Sequence, residues 1–189
     1  MSNSIYIISA LIILTLSTWL DSPLTAFGIR KSAFLPVLCV SVFLAPVTLN
    51  IYDTEISPLS VLLPAASFIF AVMSRQYSFF YATATELILA IFGCALLYLF
   101  PESSSSVIIP LLSVISGLLL YSRPLLALNV SLTFPYIIYM VSLFADFFFF
   151  MGNNSPDHKE TLFAQVSGAA ICFFTLYLMH VAIKKRSRA

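Results

Sequence analysis

Residues Phe79–Phe100 read FFYATATELILAIFGCALLYLF. The run is apolar and long enough to cross a hydrocarbon core of about 30 Å as a helix. It also carries a carboxylate, Glu86. Both facts have to be read against the whole chain. Of its 189 residues, 60% are hydrophobic and 9% charged, and the mean hydropathy is +1.01. A soluble domain carries about 25% charged residues. This composition predicts an integral membrane protein. The apolar runs are continuous and about twice the ten-residue length of alternating barrel strands, so the predicted class is all-α.

Seven apolar segments are drawn: residues 5–20, 32–49, 58–73, 78–100, 107–121, 125–150 and 162–183, followed by a basic tail, 184–189. Together they form one transmembrane helical domain over 1–189. The first, third and fifth are short and call on thin bilayer or flanking residues. The first lacks the basic leader and small-residue cleavage site of a secretory signal and is read as retained.

The charges sort by loop. Arg30 and Lys31 follow the first segment, Arg75 the third, Arg123 the fifth, and Lys184, Lys185, Arg186 and Arg188 the seventh. That places eight of the nine basic residues on one face, and basic residues stay on the cytoplasmic side. The expected topology is N-terminus outside and C-terminus cytoplasmic. The loops span about 3 to 11 residues and leave no room for a soluble domain. The tail sets topology and is also placed to touch anionic lipid.

Glu86 lies about eight residues into its helix, roughly 12 Å from the cytoplasmic end. Ala82, Thr83, Ala90 and Gly93 stand around it at helical spacing, a small face that suits close approach of another helix. No Lys or Arg reaches its level, so desolvation favours the neutral acid. One reading makes Glu86 a proton-relay or substrate-coordinating carboxylate, the other a protonated acid bonding two helices. Asn129, Ser131 and Pro135 interrupt the sixth segment, where freed carbonyls can line a cavity. Asp146 lies near the outer end of that segment, as a rim carboxylate or a partner of Lys159. The candidate proton or substrate site is thus Glu86, Thr83, Asn129, Ser131 and Asp146. Asp21, at the end of the first segment beside Trp19, is expected to pair with Arg30 or Lys31. His180 reads as a packing or rim histidine, with a proton shuttle as the alternative.

SPLSVLLPAAS (Ser57–Ser67) and SSSSVIIPLLS (Ser103–Ser113) align without gaps. The match points either to an internal repeat or to composition. Cys39, Cys94 and Cys172 each sit in an apolar run and read as small packed hydrophobes. No metal-ligand spacing, phosphate-binding loop or nucleophile motif is present, so no enzyme, cofactor or metal is expected. Beyond the tail no basic stretch exists, so no nucleic acid is expected.

Seven helices threaded outside to inside are similar in topology to SWEET sugar carriers and rhodopsin-like receptors. Neither family's motif is present, and no lysine lies inside the last segment to hold a retinal. The short loops and Phe/Leu/Ser-rich segments look like those of bacterial multi-pass proteins, which implies a bacterial cytoplasmic membrane. The functional expectation is a partner-binding or scaffold subunit of a membrane complex, with another membrane protein or a second copy as partner. The alternative is a carrier or channel for a small solute or proton.

Overall fold

The computed structural model describes residues 3–51, 54–99, 105–149 and 158–186, with the backbone alone described at 50, 51, 54, 98, 105, 106, 142–149 and 158. It is an all-α bundle with one small hairpin. In chain order the elements are α1 (Asn3–Leu16), α2 (Asp21–Phe27), α3 (Lys31–Leu44), β1 (Leu49–Ile51), β2 (Thr54–Ile56), α4 (Leu59–Met73), α5 (Phe79–Leu99), α6 (Ser105–Leu119), α7 (Pro124–Phe149) and α8 (His158–Arg186). Each of the seven apolar segments contains a helix among the described residues.

Among the described residues three helical stretches are long and apolar enough to cross a membrane: Phe79–Leu97, Pro124–Val141 and Lys159–Arg186. The bent pair α1 and α2 makes a fourth if counted as one broken span. The chain is therefore membrane-embedded, with three to four candidate spans by length and composition. This is fewer than the seven drawn from hydropathy. The reason is length: α3 and α4 hold 14 and 15 residues, and α6 holds 15. At about 1.5 Å per residue such helices reach only about 21–23 Å.

The first segment does not run straight to Leu20. It breaks after Leu16 and turns by 93° into α2. Thr18 takes a positive φ of 68°, a costly conformation for a β-branched residue. Asp21 then opens α2, where a negative charge suits the helix dipole, instead of closing α1, where it would oppose it. It pairs with Lys31 across 3.0 Å, as expected. Gly28 closes α2 at φ 74°. Its N–H donates to Thr25 O, and the Ile29 N–H reaches back to Leu24 O at 2.8 Å, which is the double closure of a Schellman motif. Trp19, 78% exposed, stands at the corner.

The second segment also ends early. α3 stops at Leu44 because Pro46 cannot continue a helix. Leu49 belongs instead to the antiparallel hairpin, in register with Ile56. At the other end α8 runs on through Lys184, Lys185 and Arg186, which the sequence assigned to a tail.

In lipid, helices gain little from hiding apolar surface and associate through packing and hydrogen bonds. α8 is the hub: it packs against α1, α2, α4, α6 and α7. α4 and α5 each pack on α7, and α1 packs on α3. One buried cluster joins α2 with α5–α8 through residues such as Phe27, Leu112, Leu126, Phe134 and Phe173. A second, around Ile8, Leu38, Leu59 and Val166, joins α1 and α3 to α4 and α8.

Candidate functional site

α5 carries a narrow buried stripe. Ala82, Leu89 and Ala90 point inward, and Leu87 and Ile88, each 60% exposed, point outward. Glu86 lies on the border and is half-buried. Thr83 is on the exposed side and does not share the inward face. Farther along, Gly93 marks the closest approach. A Cβ there would lie 2.5 Å from Ile138 Cδ1 on α7 and 3.2 Å from Leu112 Cδ1 on α6. At the other end Arg123 stacks over the Tyr81 ring, 5.0 Å from its centroid. α5 and α7 therefore run side by side in the same direction.

Glu86 is within electrostatic reach of Tyr77, in the connection between α4 and α5. Burial pushes the Tyr77 phenol above its ordinary value, and the Glu86 carboxylate adds to the shift. Among the described residues no ion pair joins a cation to Glu86, whereas Asp21 pairs with Lys31.

The densest polar layer lies elsewhere, between α4, α7 and α8. Pro64 and Pro135 interrupt α4 and α7. A proline has no N–H to return to the carbonyl four residues earlier. For Pro64 that carbonyl is Ser60 O, and the Gln165 amide of α8 donates to it at 3.3 Å. The same amide nitrogen donates to Leu132 O at 2.8 Å, one turn before Pro135. Gln165 is fully buried, and its Oε1 has no hydrogen-bond partner. Asn129 makes the matching bond from α7, donating to Pro64 O at 3.1 Å and to Ser67 Oγ at 2.9 Å. Ser67 Oγ in turn donates to Pro64 O at 2.8 Å. In lipid each such interhelical bond is worth roughly 0.6–2 kcal/mol.

Ser131 donates its hydroxyl to Leu128 O of its own helix at 2.9 Å and lies near Cys172 of α8. Cys172 Sγ also meets Ser116 Oγ of α6 at 3.8 Å. Here α6 and α8 pack closely over small residues. A Cβ on Gly117 would lie 3.3 Å from Cys172 Sγ, and one on Gly168 would collide with Ser113 Oγ. The α8 series Ala164, Gly168, Cys172 has the four-residue spacing of such contacts.

The candidate residues thus fall in separate places. Asn129 faces α4, Ser131 faces α8, Thr83 faces outward, and Glu86 has no described bond to any of them. The side chain of Asp146 lies outside the described residues. Gln165 was not singled out from the sequence. Its signal was present: one amide in the apolar run LFAQVSG, at a depth where a polar group needs a partner.

Two cavities are associated with this framework. One, about 120 Å³, lies between α1, α3, α4, α7 and α8, with Phe34, Leu38, Leu63, Ser67 and Phe173 in its walls. The other, about 260 Å³, opens where α2, the α4–α5 and α6–α7 connections and α8 meet, and is lined in part by Gln76, Tyr121, Ser122 and His180. Glu86 lines neither. Among the described residues no group of three His, Cys, Asp or Glu could hold a metal ion. No family model matches the chain, and comparison with curated proteins and with solved structures found no match.

Proposed function

We propose that the chain is a partner-binding or scaffold subunit of a membrane complex, threaded seven times with its N-terminus outside and its C-terminus cytoplasmic. The observation that carries the subunit reading is how the interior polar groups are used. Asn129 donates to the α4 backbone at Pro64 and to Ser67, and Gln165 donates to carbonyls of α4 and α7. These amides bind helix to helix and hold the bundle in one arrangement.

The threading is supported by the meeting of alternate connections. Residues after the first, third and fifth segments and His180 of α8 surround one cavity, so the stretches bearing the basic residues gather at one end. For α3, α4 and α6 to cross, the bilayer thins around them or a partner covers their ends. A bacterial cytoplasmic membrane fits the positive-inside bias.

The test is gentle detergent extraction of the full chain, chemical cross-linking and mass analysis. A defined species heavier than the 20.9 kDa monomer is expected. A monodisperse monomer that cross-links to nothing overturns the proposal.

A carrier or channel for a small solute or proton is the second reading. What favours it is Glu86, an acid within a candidate span and unpaired with any described cation. Proteoliposomes in which Glu86→Gln abolishes a proton-dependent flux, while the protein still folds, would select it.

A further inference from the structure

The cavity at the basic end has the make-up of an anion site, and we infer that it binds a phosphate group, in the first instance the headgroup of an anionic phospholipid. Its walls come from four separate parts of the chain: Phe27 of α2, Gln76 before α5, Tyr121 and Ser122 before α7, and His180 of α8. Among the described residues no acidic side chain lines it.

The groups it offers are donors. Tyr121 and Ser122 bring hydroxyls, His180 brings a ring N–H, and the start of α7, a 26-residue helix, brings the positive end of its dipole at Pro124. Gln76 holds that end in place, its Oε1 accepting the Leu125 N–H at 3.0 Å. Carbonyl ends would repel an anion, and three of those nearby are occupied. Leu24 O and Thr25 O of α2 are taken by Ile29 and Gly28, and Leu120 O at the end of α6 is taken by the Arg123 N–H at 2.8 Å.

The surroundings fit the same ligand. The connections that form the walls also carry Arg30, Arg75 and Arg123, and Lys184 follows His180 by one turn. α2 lies at 93° to α1 with Trp19 exposed at the corner, an arrangement suited to the headgroup level. None of these cations is among the residues lining the cavity, and basic stretches at the cytoplasmic face attract phosphate headgroups. At about 260 Å³ the space admits a phosphate with part of its water shell.

The test is native mass spectrometry of the full chain in a neutral detergent, titrated with phosphatidylglycerol or phosphatidylcholine. Retention of phosphatidylglycerol should exceed that of phosphatidylcholine. Ser122→Asp, a change at an exposed position, should weaken it by about fivefold or more, the scale of one charge at a membrane surface. His180→Ala should weaken it while leaving the helical circular dichroism intact. Charge-neutralising changes at Lys185 and Arg186 report the tail alone. Equal retention of both lipids, or loss of retention only in the tail variants, overturns the site. Competition by glycerol 1-phosphate would assign it to phosphate esters in general, and its failure to compete would assign it to the intact lipid.

Discussion

The Gln165 amide donates to the carbonyl oxygen of Ser60, the one backbone acceptor in α4 that Pro64 leaves without its helical donor. A kink in one helix is thereby answered by a side chain of another. The same nitrogen also reaches Leu132 O of α7, so one residue ties α8 to both α4 and α7.

Replacing Gln165 with leucine should therefore be costly. It leaves the buried Ser60 carbonyl without a donor, at about 1–3 kcal/mol. Reversible unfolding in mixed micelles measures it. A Gln165→Leu protein as stable as the parent would show that this carbonyl finds another partner.

Asn129 and Ser67 form a testable pair. A double-mutant cycle with Asn129→Leu and Ser67→Ala should return a coupling of about 0.6–1.7 kcal/mol, the range for hydrogen bonds between helices in lipid. Additive single effects would mean that the 2.9 Å contact contributes nothing.

Gly93 sets the spacing of α5 against α7. Gly93→Ala places a methyl against Ile138 Cδ1 and should cost about 1–3 kcal/mol by overpacking. Ile138→Val removes that same carbon. The double variant should recover most of the loss, and thermal melting of the four proteins decides it. Failure of rescue would move the strain to Leu112, the other neighbour.

Glu86 separates the two functional readings. Under the subunit reading, Glu86→Gln leaves folding and complex formation intact, and Glu86→Leu destabilises the bundle by about 0.6–2 kcal/mol if the carboxyl bonds a neighbouring helix. Under the carrier reading, Glu86→Gln folds normally but abolishes transport. Unfolding curves and cross-linking yields of both variants distinguish these outcomes.

Threading is tested by single cysteines after Cys39, Cys94 and Cys172 are replaced. Thr54→Cys, Ser104→Cys and Ser155→Cys should react with an impermeant reagent from outside. Arg75→Cys and Arg186→Cys should react only after the membrane is opened. Outside labelling at position 75 would sink the seven-crossing scheme.

The helices were legible from the sequence because a chain this apolar must satisfy its backbone within each segment. Every apolar run accordingly holds a helix, though not always along its whole length. What hydropathy could not supply was geometry. Trp19 and Leu20 extend the first run by composition, yet Ser17 and Thr18 turn the chain before them. The polar run from Asn129 to Thr133 announced itself, but its partners did not, because the pairing of α7 with α4 and α8 is tertiary. Thr83 shows the limit of helical spacing as a guide. It stands three residues before Glu86, yet the packed stripe passes on the other side, through Ala82 and Leu89.

The hub position of α8 bears on how the protein is made. α1 through α7 leave the ribosome before it, and chains fold in the order of synthesis. Until α8 arrives, the oxygens of Ser60 and Leu132 lack the donor it carries, and the groove over Ser113 and Gly117 stands open. The nascent bundle therefore waits, half-assembled, for its last helix. A chain cut short before Gln165 would leave the Ser60 carbonyl of α4 unpaired.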